Sequence, residues 1–122
     1  MMKRAVLVVL VIGTAVGLVT WWMSGPRVAV GDVRHAETLV LGKGSSAGHT
    51  YALSIRGSGQ IDGHATISLL LDGKPYKVEK LSGAVDFKWG GEWYADTAEV
   101  RYEPDGVRSG DVVLRYNFEK LY

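Results

Sequence analysis

Residues 65–81 read ATISLLLDGKPYKVEKL, and the dipeptide Asp72-Gly73 separates two apolar runs in this stretch. Asp-Gly favours a two-residue turn between antiparallel strands. Such a turn pairs residues of one face: Leu69 with Tyr76, and Ile67 with Val78. The stretch therefore predicts a β-hairpin. Because proline has no amide proton for a sheet, Pro75 should begin its strand or lie at a sheet edge.

The aromatic-rich residues 86–102, DFKWGGEWYADTAEVRY, suggest a second turn at Gly90-Gly91. A two-residue turn there places Lys88 opposite Trp93. Side chains then alternate between the two faces of the hairpin. The apolar and therefore inward set is Val85, Phe87, Trp89 and Tyr94. Trp93 is expected to point outward, on the other face of the hairpin from these aromatic side chains.

The remaining strands follow from the same alternation. Apolar positions alternate in residues 51–57 and, after a bulge expected at Ala95-Asp96, in residues 97–103 and 111–119. Residues 37–41 form a possible first strand, while glycine-rich segments at 57–63 and 104–110 indicate a bend and a turn. The sequence thus predicts an all-β fold, a small antiparallel β-sandwich or barrel of about seven strands. A single sheet covered by a partner protein is the third possibility.

The N-terminus has a different character. Lys3 and Arg4 precede nineteen uncharged residues, Ala5 to Met23, which as a helix would span about 28 Å, close to the thickness of a bilayer's hydrocarbon core. Basic residues before such a segment favour a cytoplasmic N-terminus. We expect a signal anchor over residues 1–27, a linker over 28–36 and an extracytoplasmic domain over 37–122. The alternative is a cleaved signal peptide, with small-residue sites ending at Gly17 or Gly31.

Composition narrows the location and the class of partner. The chain has no cysteine and no Asn-x-Ser/Thr glycosylation site, which fits a bacterial envelope protein. We therefore expect a single-pass protein of the bacterial inner membrane, with its domain in the periplasm, or a cleaved form soluble there. Residues 32–122 contain eleven basic and thirteen acidic side chains. That balance argues against a nucleic-acid partner, which would require a basic excess.

Candidate catalytic and metal-binding residues do not form a recognisable set. His35, His49 and His64 have unrelated spacings, and no acidic residues accompany them at ligand intervals. Asp62, Asp72 and Asp105 each precede a glycine, which is typical of turns. Ser45 and Ser46 lie near His49, but without the strand-turn-helix setting of a nucleophile elbow. We expect a protein that is not an enzyme and that has no cofactor or metal.

The surface around the outward Trp93 is the predicted binding site. Tryptophan is enriched at the centres of protein interfaces, although a tryptophan opposite Lys88 is also explained by a cation–π contact. Leu70 and Val113, outward by alternation, would extend the surface if their strands lie beside it. The leading hypothesis is a membrane-tethered periplasmic domain that binds another envelope protein, with an accessory subunit of a membrane complex as one form of this role. The alternatives are a secreted inhibitor or immunity protein and a small-ligand-binding barrel.

Overall fold

The computed structural model describes residues 26–44 and 47–121, which form five β-strands. Every pairing between them is antiparallel. The prediction of an all-β antiparallel fold is confirmed. The strands are β1 (Arg27–Ala29), β2 (Glu37–Gly42), β3 (His49–Leu71), β4 (Lys74–Glu92) and β5 (Thr97–Leu121).

The strands form one sheet in the order β1-β5-β3-β4, and β2 also pairs with β5. β1 lies along residues 113–115 of β5, whereas β2 lies along residues 97–102. β4 is the edge strand on the other side. Within residues 26–44 and 47–121, no strand pairing joins the two edges, so this sheet is open and is not a closed barrel.

Five strands replace the predicted seven. The predicted breaks at residues 57–63 and 104–110 lie inside β3 and β5, β4 continues from Lys74 to Glu92, and β1 is an additional strand that was not predicted. β3 continues through Asp62 and Gly63, where its register against both neighbours shifts. The opposing shifts lie at Ser82-Gly83 in β4 and between Asp105 and Ser109 in β5. These positions divide the sheet into two halves. The β1 half contains residues 27–29, 49–61, 83–92 and 110–121; the β2 half contains residues 37–42, 64–71, 74–82 and 97–105.

The two halves contribute apolar side chains to one core. The side chains with almost no exposed surface come from both halves. They are Ile55, Val112 and Leu114 from the β1 half, and Leu41, Ile67, Val100 and Tyr102 from the β2 half. Leu53 of the β1 half and Leu69 of the β2 half line the same narrow gap, whose volume is only about 10 Å³. The bent sheet therefore encloses its core in a sandwich-like manner, with the inner faces of the halves opposed.

The predicted hairpin at Asp72-Gly73 is present, but its register differs from the prediction. Both turn residues have positive φ values, 53° and 77°, as a type I′ turn requires. A register shift between Leu69 and Leu70 moves β4 by one position, so that Leu69 faces Lys77 and Ile67 faces Glu79. The predicted pairings of Leu69 with Tyr76 and of Ile67 with Val78 are therefore wrong. Pro75 does lie in an edge strand, as predicted.

The predicted turn at Gly90-Gly91 is also wrong. β4 continues through both glycines to Glu92, and Gly90 faces Ser54 of β3. Residues 93–96 form the connection to β5. Because this connection begins three residues later than the predicted turn, Tyr94 is exposed and Trp93 is buried, the reverse of the prediction.

Residues 28–36, which the sequence suggests as a linker, are packed on the domain. The Val30 amide donates to the Val112 carbonyl at 2.9 Å, and Val30 and Val33 are both buried. The Tyr102 hydroxyl, which has no exposed surface, donates to the Val33 carbonyl at 2.6 Å. Residues 26–44 and 47–121 contain no helix that could span a bilayer. The predicted anchor, Ala5 to Met23, lies outside the described residues.

Candidate functional site

The four predicted binding residues do not form one surface. Lys88 and Val113 lie on the outer face of the β1 half, and Leu70 lies in the β2 half. Trp93 belongs to the connection between β4 and β5. The structure thus separates the predicted site into two surfaces and a buried side chain.

Trp93 is a core residue. Only 8% of its surface is exposed, and its indole Nε1 donates to the Thr97 carbonyl at 3.0 Å. Its amide donates to the Tyr51 carbonyl at 3.1 Å, which holds the connection against β3. The prediction that Trp93 points outward is wrong. The other explanation for Trp93, a cation–π contact with Lys88, is also excluded, because Lys88 lies opposite Arg56 in the sheet.

A polar cluster fixes the other end of the same connection. The Asp96 carboxylate accepts a hydrogen bond from the Thr50 hydroxyl at 3.0 Å and lies 3.4 Å from the Lys43 ammonium. The Thr50 hydrogen bond, with a smaller contribution from the Lys43 charge, holds the pKa of Asp96 below its ordinary value. Trp93 and Asp96 therefore anchor both ends of a four-residue connection, which explains how a short loop retains a buried indole.

Exposed apolar side chains surround the Asp72-Gly73 turn. Tyr76 and Val78 are 53% and 51% exposed, and Leu71 is also exposed beside the half-buried Leu70. We call Leu70, Leu71, Tyr76 and Val78 the hairpin patch. The Lys77 ammonium lies 5.4 Å from the centre of the Tyr76 ring, a cation–π distance that orients the ring. The sequence predicted that Tyr76 and Val78 share a face with Leu69 and Ile67. The one-residue register shift instead leaves both side chains exposed.

A shallow depression adjoins the hairpin patch. It has a volume of about 280 Å³ and lies between the hairpin turn and the connection that carries Trp93. Leu70, Leu71 and Ala98 contribute to its walls, together with the carboxylate-bearing Asp72 and Glu99. Two of the predicted residues, Leu70 and Trp93, are thus brought together here, although little of the indole is accessible.

Four basic side chains align across the β1 half. Lys88 of β4 faces Arg56 of β3, Arg56 faces Arg115 of β5, and Arg115 faces Arg27 of β1. We call these four residues the basic row. Val113 occupies the adjacent row, where it faces Ser58 and Ala29. The sequence identified Lys88 and Val113 on this surface, but it did not indicate that three arginines lie beside them.

A polar depression of about 550 Å³ marks the bend of the sheet. His64 lies there opposite Ser82 of β4 and Asp105 of β5, with Asp62 and Arg108 nearby. Among the residues that the structure describes, no three histidine or acidic side chains are grouped as a metal site requires. Ser45 and Ser46, which the sequence places near His49, lie outside the described residues.

Asp32 lies in the loop between β1 and β2. The Arg34 guanidinium donates to both of its carboxylate oxygens at 3.1 Å, and the Arg34 amide adds a third hydrogen bond at 3.0 Å. These bonds lower the pKa of Asp32 from 3.8 to about 2. Because the folded state favours the ionised carboxylate, this contribution to stability is present above about pH 4 and is lost as the pH falls towards 2.

Replacing Asp32 by asparagine should therefore have a pH-dependent effect. We expect a small decrease in the thermal unfolding midpoint near pH 7, since the pair is exposed to solvent, and no difference from the wild type near pH 2. Thermal unfolding of both proteins from pH 2 to pH 7 at low salt measures this. A difference that stays constant over the whole range would show that the charge of Asp32 contributes nothing.

Comparisons with known proteins provide no family for the chain. No protein-family model matches it, and no curated protein does. A solved structure described as "CBM4 structure and function" is similar with a TM-score of 0.40 and 7% sequence identity. The match covers 70% of this chain and 61% of that one. The likeness is distant, and the fold and surfaces described above rest on the chain's own strand pairing.

Proposed function

We propose that this protein is a membrane-tethered β-domain, not an enzyme, that binds another envelope protein, as an accessory subunit of a membrane complex. In this proposal residues 5–23 cross a bacterial inner membrane, the N-terminus is cytoplasmic and the domain is periplasmic. The length of the apolar run and the two basic residues before it support the tether. The hairpin patch is the observation that supports partner binding.

The chemistry of the hairpin patch suits a protein interface. Tyrosine combines a large apolar ring with a polar hydroxyl, and it is among the residues enriched at interface hot spots. Tyr76 and Val78 remain half exposed in a domain whose other large apolar side chains mostly reach the core. Burying the patch under a partner would remove this surface from water, which stabilises the complex.

The edge of β4 favours contact through side chains over the addition of a strand from the partner. Near the patch, this edge has Pro75, which offers no amide proton, and the charged residues Lys77 and Glu79, which lie opposite the core residues Leu69 and Ile67. Proline and inward-directed charges protect sheet edges from pairing with other chains. We therefore place the partner on the patch and not alongside the β4 backbone.

Between the two halves of the sheet, the residues that the structure describes leave little room for a bound molecule. The gap between Leu53, Leu69, Trp89 and Trp93 holds about 10 Å³, which is enough for roughly one water molecule. Pockets for small ligands have volumes of about 300–1,000 Å³. A filled gap between the two halves supports a function that resides on the surface.

The partner should depend on Tyr76 and Val78. We expect the double variant Tyr76→Ala/Val78→Thr to weaken binding of a co-purified membrane partner about tenfold or more, because truncated hot-spot side chains commonly cause losses of that size. Chemical crosslinking of the full chain in detergent, followed by titration of the captured protein, measures this. The fraction recovered in alkali-washed membranes tests the tether separately.

The matched control is Tyr94→Ala/Val40→Thr. It makes the same two substitutions at positions that are 71% and 62% exposed and lie outside the hairpin patch. Binding should be unchanged in this control. Equal loss in both double variants, or a wild-type chain that captures no protein, would contradict binding through the patch.

A further inference from the structure

We propose that the outer face of the β1 half binds anionic phospholipid headgroups through the basic row, Arg27, Arg115, Arg56 and Lys88. This inference rests on the proposed membrane tether and is independent of the proposed protein partner. It assigns a second contact between the domain and the membrane, in addition to residues 5–23.

The alignment of the row follows from the sheet register. Arg27, Arg115, Arg56 and Lys88 are successive partners on four neighbouring strands, β1, β5, β3 and β4. Partners directly opposite each other have side chains on the same face of the sheet. Since neighbouring strands lie about 4.8 Å apart, the backbone positions of the row extend over about 14 Å. A surface of this width can contact several lipid headgroups together.

The charges of the row are poorly compensated within the domain. The Arg56 guanidinium lies 3.5 Å from the Asp86 carboxylate. Over residues 26–44 and 47–121, Arg27, Arg115 and Lys88 form no ion pair within 4.0 Å. Like charges opposite each other destabilise a sheet. An external anion that binds the row would offset this repulsion.

The concentration of cations contrasts with the charge of the whole domain. Residues 26–121 contain twelve basic and thirteen acidic side chains, so a third of the basic residues lie in this row. The nearest acidic side chain across the strands is Asp86, in the adjacent row. Three more acidic residues lie two rows away: Asp111 beside Gln60 on one side, and Glu92 and Glu119 beside Ala52 on the other. The row is thus a contiguous line of cations, with its acidic neighbours at the margins, on a domain without positive net charge.

The row begins where the chain enters the domain. Only Ser24, Gly25 and Pro26 separate the apolar run from Arg27. Four residue steps extend over at most about 14 Å, so the tether keeps Arg27 at headgroup depth. The Pro26 carbonyl accepts a hydrogen bond from the Tyr116 amide at 3.0 Å, which fixes the entry point beside Arg115. From this point, the other three cations lie one on each successive strand: Arg115, Arg56 and Lys88.

The neighbouring rows allow close approach to a flat surface. On one side of the row lie Ala29, Val113, Ser58 and Asp86, and on the other lie Asn117, Ser54 and Gly90. None of these side chains is larger than the arginines and lysine of the row. The cations can therefore reach headgroup phosphates before their neighbours make contact.

This orientation is compatible with the proposed protein partner. Because the two halves of the sheet have opposed inner faces, their outer faces are directed away from each other. Lipid contact through the β1 half would thus leave the β2 half, which contains the hairpin patch, directed away from the bilayer. A membrane-tethered domain would then present the patch to proteins that extend from the same membrane.

The chain's lack of cysteine permits a direct test. A fluorophore on Ser58→Cys reports on the β1 half, and one on Thr66→Cys reports on the outer face of the β2 half; both positions are half-buried. The full chain is reconstituted in phosphatidylcholine vesicles with or without phosphatidylglycerol. A nitroxide on the lipid headgroup quenches fluorophores that approach it. We expect phosphatidylglycerol to increase quenching at Ser58 much more than at Thr66, and high salt to reverse the increase.

The charge variants identify the residues responsible. Arg56→Gln/Lys88→Gln should lower the ratio of docked to undocked domain about 25-fold, since each cation near an anionic surface contributes a factor of about five. Lys74→Gln/Lys80→Gln removes the same net charge from the β2 half and should leave quenching at Ser58 unchanged. Equal quenching in both lipid mixtures, or equal loss in both double variants, would overturn the inference.

Two further outcomes separate this inference from the proposed function. A chain that inserts into vesicles without lipid-dependent quenching disproves headgroup binding but leaves the tether and the partner intact. A chain that does not float with vesicles disproves the tether, and headgroup binding with it. If Arg56→Gln/Lys88→Gln instead abolishes capture of a protein without altering lipid contact, the row binds an acidic protein surface and the inference is wrong.

Discussion

Replacing Trp93 by alanine is expected to lower the free energy of unfolding by about 3–5 kcal/mol, the loss typical of truncating a buried large aromatic side chain. Its indole is 8% exposed, fills space beside Leu53, Leu69 and Trp89, and donates a hydrogen bond to the Thr97 carbonyl. Truncation would leave a cavity and a carbonyl without its donor. Urea unfolding of the two proteins, followed by circular dichroism, measures the difference.

Tyr94→Ala is the matched control for this prediction. Tyr94 is the next residue in the same connection and is 71% exposed, so its truncation should change the free energy of unfolding by no more than about 0.5 kcal/mol. A Trp93→Ala variant as stable as Tyr94→Ala would contradict the buried position of Trp93. It would also restore Trp93 as a candidate for partner binding.

The exchanged roles of these two residues show what alternation in the sequence can predict. Phe87 and Trp89 are buried as predicted, since both lie in the regular part of β4 before the connection. The alternation fails for Trp93 and Tyr94 because the chain leaves the strand before them, and it fails for Tyr76 and Val78 because the pairing of β4 with β3 shifts by one residue. Gly90-Gly91 resembles a two-residue turn, but continued pairing with β3 keeps both glycines in the strand. That outcome depends on a partner strand more than thirty residues away in sequence.

The regular part of β5 was predicted equally well. The alternating apolar positions Ala98, Val100 and Tyr102 are buried, as are Val112, Leu114 and Phe118. Tyr116, which the alternation also places inward, is half-buried against the core. The sequence could not show that these two runs belong to one strand, because a glycine-rich bend and a glycine-rich turn have the same local composition. Contacts with β3 on both sides of the bend decide between them.

Neither the hairpin patch nor the basic row could be predicted from the sequence, for a similar reason. The hairpin patch depends on a one-residue register shift opposite Tyr76, which no local pattern in residues 74–81 indicates. The basic row depends on the registers of β1, β3, β4 and β5 together, and its members are far apart in sequence. Of the four cations, only Lys88 was among the predicted binding residues, because the predicted turn at Gly90-Gly91 placed it opposite Trp93.

The bend that joins the two halves should be sensitive to substitution of its backbone glycine. Gly63 has a φ of +128°, which side chains of L-amino acids rarely permit, and an added Cβ would collide with the Gly106 carbonyl and the Val107 backbone. Neither obstacle can move without disturbing the pairing of β3 with β5. We expect Gly63→Ala to lower the free energy of unfolding by about 2–5 kcal/mol, from backbone strain and overpacking together.

Gly73→Ala separates the two causes in the Gly63 prediction. Gly73 also has a positive φ, +77°, but an added Cβ would meet no atom within 4 Å. Its substitution should therefore incur only backbone strain, about 1–2 kcal/mol. Chemical denaturation measures the free energy of unfolding of both variants. The difference between them is the contribution of the collision at the bend. If Gly63→Ala is no less stable than Gly73→Ala, β3 and β5 do not approach each other as closely at the bend, and the two halves need not share one core.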